Sequence, residues 1–193
     1  YESFTYTDPV QLLFDPPISL GDAVEDRTLL FCSVYDNGSD FIGAVTEYSL
    51  SFWTKEGAGV EGTAFRIMFI NNSADEMAVS VQQSDSQLGV RVSGGFFGSG
   101  FLMSSLSPGW HHIIAVTRDF ETDFYVNKIF VGTAGSRTSP KIRTLGGHWS
   151  GILPQSWGAF DEIRFYNRRL TAAERTALFQ KVTIKFEDVI KAQ

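Results

Sequence analysis

Residues 109–133 read GWHHIIAVTRDFETDFYVNKIFVGT, and residues 158–174 read GAFDEIRFYNRRLTAAE. The first stretch contains apolar-rich runs separated by a short acidic turn. Its later half, DFYVNKIFVGT, predicts a hairpin turning at Asn127 and Lys128. In the second stretch FDEIRFY predicts a strand that stops at NRR. A short helix follows, because Thr171 can cap AAERTALFQ and Glu174 stands three residues later, as a capping box requires. Leu170, Leu178 and Phe179 would anchor that helix to the body.

Working outward, most of the chain alternates with period two, the strand signature. YSLSFWTK spans residues 48–55, AFRIMFINN starts at Ala64, MAVSVQQ at Met77 and LGVRVSG at Leu88. In the last two, Met77, Val79, Val81, Leu88, Val90 and Val92 line one face, and Ser80, Gln82, Arg91 and Ser93 the other, which predicts antiparallel strands with one solvated face. Many short strands with turn signals and one short helix predict an all-β protein, an antiparallel β-sandwich or jelly roll. Residues 1–181 read as one domain. VTIKFEDVIKAQ, residues 182–193, alternates at Val182, Ile184 and Phe186 and reads as an extra strand or arm.

The net charge of −6 disfavours nucleic acid and anionic membrane as partners, since both call for a basic footprint. No apolar stretch approaches the ~20 residues of a membrane span. Cys32 is the single cysteine, so neither an internal disulfide nor a cysteine-based zinc site is expected. The opening YESFTYTD has neither a basic start nor a long apolar run, so it does not read as a signal peptide.

The two opening stretches resemble the concanavalin A-like, laminin-G-like jelly-roll family. Its members carry a W-H-H-V-A strand, an acidic turn and a Y-V-N-G hairpin, then G-x-I-D-E-V-R-I-Y-N-R-x-L-S-x-x-E. YSLSFWTK is similar to the family's early core strand. The resemblance implies a concanavalin A-like sandwich with one C-terminal helix. Lys128 replaces the hairpin glycine, which predicts a looser turn or one of another type. The family's N-terminal F-D-G-x-x-D-Y segment, which often contributes to a calcium site, is not evident in LLFDPPISLGDAVEDRTLLF.

Related glucanases of this fold cleave sugars with acids spaced E-x-D-x-E or E-x-D-x-x-E on one strand, because alternation then brings acid and nucleophile to one face. Asp161 and Glu162 are adjacent, so regular alternation points them to opposite faces. Glu121 and Asp123 are followed by Phe124, Tyr125 and Val126, with no third acid, and fall in the expected turn. An enzyme is therefore not expected, and no catalytic residue is assigned. Asp161 matches the aspartate of the family motif and has two readings. It is a calcium ligand completed by loop carbonyls, or a structural carboxylate accepting backbone N–H bonds. Calcium is the only cofactor these residues suggest. Glu162 is expected to be solvated and paired with Arg164. His111 and His112 diverge on a strand and cannot jointly chelate one ion. His112 is expected beside Trp110, Ile114 and Val116 on the core side.

Carbohydrate sites offer an aromatic face for sugar C–H groups and polar partners for the hydroxyls. Candidates for ligand contact are His148 and Trp149 in LGGHWSGILPQSWGAF, Asn71 and Asn72 at a strand end, and Phe96 and Phe97 in SGGFFGSG. The phenylalanines there are either a tucked anchor or an exposed patch. Trp157 is expected in the core. The function expected is a non-catalytic recognition module binding a glycan or a protein surface, outside the cell or on a cell or virion surface. The alternative is a structural domain of a virion, tail fibre or cell-surface appendage, assembled as a homo-oligomer or larger array.

Overall fold

The computed structural model describes residues 11–13, 33–34, 47–56, 65–71, 76–82, 84–138, 142–145 and 158–180. Twelve strands among them are β1 (Gln11–Leu13), β2 (Ser33–Val34), β3 (Ser49–Glu56), β4 (Phe65–Asn71), β5 (Met77–Gln82), β6 (Gln87–Val92), β7 (Gly95–Leu102), β8 (Trp110–Arg118), β9 (Glu121–Val126), β10 (Ile129–Ala134), β11 (Ile142–Leu145) and β12 (Gly158–Tyr166). A helix, α1, occupies residues 172–180. One sheet runs β1-β12-β3-β8-β9-β10 and the other β2-β11-β4-β5-β6-β7, with antiparallel pairing throughout. The two sheets make the antiparallel sandwich that the alternation predicts.

The main core lies between the sheets. Tyr48, Leu50, Phe52, Ile113, Ala115, Phe124, Val126, Ile163 and Phe165 come from the first sheet or its margin, and Val79, Val81, Leu88 and Val90 from the second. A second, smaller core lies on the outer side of the first sheet, where Ile114, Val116, Tyr166 and Leu170 pack with Tyr125 and Leu178. Helix α1 contributes Leu178 and so covers this outer face. The period-two pattern of WHHIIAVTR is thus apolar on both faces, because both are covered. His112 therefore belongs to the smaller outer core and not to the inter-sheet core. Trp110 is only half-buried and joins neither cluster. The solvated face expected for β5 is also absent, since Met77 to Val81 are all buried, Ser80 included.

The family motif is held together by Asn127. Its Nδ2 donates to His111 Nδ1 at 3.0 Å, its Oδ1 accepts from the His112 N–H at 3.0 Å, and its own N–H donates to the His112 carbonyl at 2.8 Å. His111 Nε2 lies 2.8 Å from the Ser107 carbonyl and donates to it. Val126 pairs with Ile129, so Asn127 and Lys128 form a two-residue turn, and both have positive φ, 48° and 67°. The looser turn expected from the lysine is not found. The chain adopts the positive-φ turn that favours Asn-Gly, with Lys128 in the glycine position.

The capping box forms as read. The Thr171 N–H donates to Glu174 Oε2 at 2.8 Å, and the Glu174 N–H donates to Thr171 Oγ1 at 3.3 Å. Arg168 adds two bonds to the same carboxylate, at 2.6 and 3.0 Å. These donors, Arg168 first, hold the Glu174 carboxyl down at about 2. On the other side of the molecule the two sheets meet where β10 passes β7. Gly132 has φ +146°, and a Cβ there would collide with the Ser99 carbonyl. Only glycine allows that approach.

Candidate functional site

Two polar arrangements stand out, one on each sheet. Beneath α1, Trp53 of β3 lies opposite His112 of β8, and their rings stack with centroids 5.1 Å apart. Phe179 of the helix stacks on Trp53 at 5.8 Å. His112 Nε2 is 2.8 Å from Ser51 Oγ, and its Nδ1 is buried without a hydrogen-bond partner among the described residues. Burial, and then the charge of Arg164, push the imidazole down to about 4, so it is neutral near pH 7. Arg164 is itself buried and ion-paired with Glu162. A base sealed under a helix cannot reach a substrate, and this cluster reads as structural.

The pairing of Glu162 with Arg164 is as expected, but the local geometry is not. Asp161 pairs with Trp53 and Arg164 with Ser51, so two residues, Glu162 and Ile163, oppose Phe52 alone. Glu162 has φ 49°. This is a β-bulge, and it cancels the alternation that set Asp161 and Glu162 on opposite faces. Asp161 and Arg164 both occupy register positions on the helix-covered side. Calcium needs six to eight oxygens. The register neighbours of Asp161 on β3 are Trp53 and Thr54, and no group of three His, Cys, Asp or Glu able to hold a metal occurs among the described residues.

Glu121 and Asp123 lie in β9, not in a turn. Both carboxylates bind Arg118, each at 3.1 Å, and Asp123 also accepts from Thr133 Oγ1 at 2.7 Å. Their partners account for both acids structurally.

The second arrangement is on the outer face of the β6–β7 ribbon, at one edge of the second sheet. SGGFFGSG is not a loop. Ser93 and Gly94, with φ 49° and 79°, make a tight turn, and the phenylalanines belong to strand β7. Adjacent strand residues diverge. Phe97 pairs with core-facing Val90, at 40% exposure, whereas Phe96 pairs with Arg91 on the outer face. The two rings therefore do not form one patch. Between them and the next row, Gly89 pairs with Gly98. A Cβ on Gly89 would come 2.7 Å from Phe96 Cζ, and one on Gly98 would collide with the Gln87 side chain. The glycine pair leaves room for the half-buried Phe96 ring to lie over one glycine and the Gln87 amide over the other. Arg91 closes the Phe96 end, and Ser80 of β5, buried in the same outer-face row, pairs with Gly89. Aromatic face, amide and guanidinium on a shallow floor are the groups that a sugar needs.

Other candidates are less defined. Asn71 ends β4 and pairs with Ile142; it lies at the Phe96 end of the sheet, but three strands away, roughly 14 Å by strand spacing. Asn72, His148, Trp149 and Trp157 lie outside the described residues, as does the arm at 182–193. Gln87 and Arg91 escaped sequence reasoning. The signal available was Gly89 in β6 opposite Gly98 in β7, legible only once the strands are paired.

A family model described as the concanavalin A-like lectin/glucanases superfamily matches residues 34–174. No curated protein matches the chain in sequence. Among solved structures, domain 4 of AbnA, a GH43 extracellular arabinanase from Geobacillus stearothermophilus in complex with arabinotriose, superposes with a TM-score of 0.53 at 17% identity, over 72% of this chain and 69% of that one. Trypanosoma rangeli sialidase gives 0.48 at 18% identity, over 69% of this chain and 22% of the sialidase, so the chain spans about a fifth of that enzyme. The binding domain of Paraclostridial Mosquitocidal Protein 1 gives 0.46 at 18% identity, over 70% of this chain and 37% of that one.

Proposed function

Because the chain belongs to the concanavalin A-like lectin/glucanases superfamily, we propose that it is a non-catalytic, extracellular carbohydrate-recognition module. The observation that carries the reading is the glycine-floored platform of Phe96, Gln87 and Arg91. A pyranose or furanose ring laid on it would set its C–H face against Phe96 and its hydroxyls against the amide and the guanidinium. Two further points support the reading. Among the described residues no strand carries the three acids of the related glucanases: Asp119 lies in the turn before β9, and the pair Glu121 and Asp123 within β9 is bound to Arg118. A domain of like fold is held with arabinotriose, which makes that sugar the first ligand to try. Calorimetric titration with arabinotriose and with a panel of other neutral oligosaccharides tests the proposal. Saturable binding by the wild type that Phe96→Ala weakens about tenfold or more supports it. Binding that Phe96→Ala leaves intact overturns the site.

A further inference from the structure

The first sheet carries a surface of different character at its β10 edge. Ile129 and Phe130 are 65% and 54% exposed. Phe130 packs edge-on against Tyr125, with centroids 5.5 Å apart. The Arg175 guanidinium sits 4.0 Å from the centre of the Tyr125 ring, and Lys128 Nζ 5.3 Å from that of Phe179. Arg175 and Phe179 are four residues apart on α1, so they share one face of the helix. Strand edge, hairpin turn and helix thus bring two cations to one aromatic strip.

Four of the described arginines are ion-paired, whereas these two cations, like Lys55 and Arg137, are not. Arg118 is held by Glu121 and Asp123, Arg164 by Glu162, Arg168 by Glu174 and Arg169 by Glu47. Among the described residues, Lys128 and Arg175 have no ion pair. They rest on rings, and Arg175 spends one N–H on the Leu170 carbonyl at 2.6 Å. Two unneutralised cations on a chain of net charge −6 make a local electropositive spot. A neutral sugar would gain hydrogen bonds from them but leave their charges unpaired, and an apolar partner would have to bury them with neither.

We propose that Phe130, Tyr125, Lys128 and Arg175 form a second binding surface, taking a carboxylated sugar of the uronic acid type. Its C–H face stacks on the exposed Phe130 ring. Its planar carboxylate is met by the Arg175 guanidinium edge and the Lys128 ammonium, which are matched donors for that group. The surface belongs to the opposite sheet from the Phe96 platform. The choice of a sugar over another anion rests on the glycan-recognition reading above.

The test titrates the intact chain with trigalacturonate, with neutral galactotriose and with short polyglutamate. The trigalacturonate should bind about tenfold more tightly than the neutral trimer, and added salt should narrow the gap. Phe130→Ala and Lys128→Gln should each cut trigalacturonate affinity about tenfold, with unchanged melting and unchanged binding of any neutral sugar held by the Phe96 platform. Equal affinity for the charged and neutral trimers, or insensitivity to both substitutions, overturns this surface and leaves the broader reading standing. Polyglutamate binding as tightly as trigalacturonate overturns the sugar assignment. Failure of every sugar, charged or neutral, overturns both readings together.

Discussion

Trp53 packs against the rings of His112 and Phe179, which also lie 6.0 Å from each other, and is 7% exposed, whereas Trp110 on the neighbouring strand is only half-buried. The cost of a large-to-small change follows burial and the cavity left behind. Trp53→Ala should therefore lose ~3–5 kcal/mol in a denaturant melt, and Trp110→Ala well under half of that. A larger loss at Trp110 would contradict the placement of the second core. The sequence shows both tryptophans on strands, but a strand's two faces look alike when each is covered. Which face a helix will cover depends on residues more than a hundred positions apart, such as Trp53 and Phe179. Asn127 was more legible. Its side chain and N–H bind both histidines of GWHH, which gives a physical reason for the two halves of the motif to occur together.

At the level of elements, α1 was readable to its caps, because capping is local: Thr171, Glu174 and the apolar Leu178 and Phe179 lie within one short stretch. The bulge in β12 was not, since alternation alone gives no sign that Glu162 adopts positive φ. The helix and the strand beneath it make stability depend on pH. The His112 imidazole is held down at about 4 against an ordinary 6.5, chiefly by burial. The unfolded chain then binds a proton at a pH where the folded chain does not, so the contribution is complete above pH 6.5 and is lost as pH falls toward 4. For a shift of this size the loss is of order 3 kcal/mol. Glu174, held at about 2, adds a loss of the same sign at lower pH, between about 4.5 and 2. Melting temperature measured from pH 7 to pH 4 should fall in the wild type and stay nearly flat in His112→Gln, whose amide can still bond Ser51. Parallel slopes in the two proteins would show that another group is responsible.

For the molecule as a whole, the sandwich was legible because strand periodicity and the motif of residues 109–174 agree, and the family match over residues 34–174 bears this out. The candidate site was legible only in part. Phe96 was identified from its setting, but its partners Gln87 and Arg91 join it through strand pairing, and the glycines that clear the floor look in sequence like turn residues. Asp161 is a molecule-scale question too, since a calcium site would draw ligands from several loops. If Asp161 is a structural carboxylate, calcium and a chelator should give the same melting temperature in wild type, and Asp161→Asn should lower it equally in both. A rise with calcium that Asp161→Asn removes would restore the metal reading. The central claim is recognition without cleavage. The most direct measurement is to titrate the wild type and Phe96→Ala with oligosaccharides, arabinotriose first, while assaying the same samples for released reducing ends. Saturable binding that depends on Phe96, with every oligosaccharide recovered intact, is the predicted result. Release of new reducing ends by the wild type, or binding that survives loss of the Phe96 ring, would contradict it.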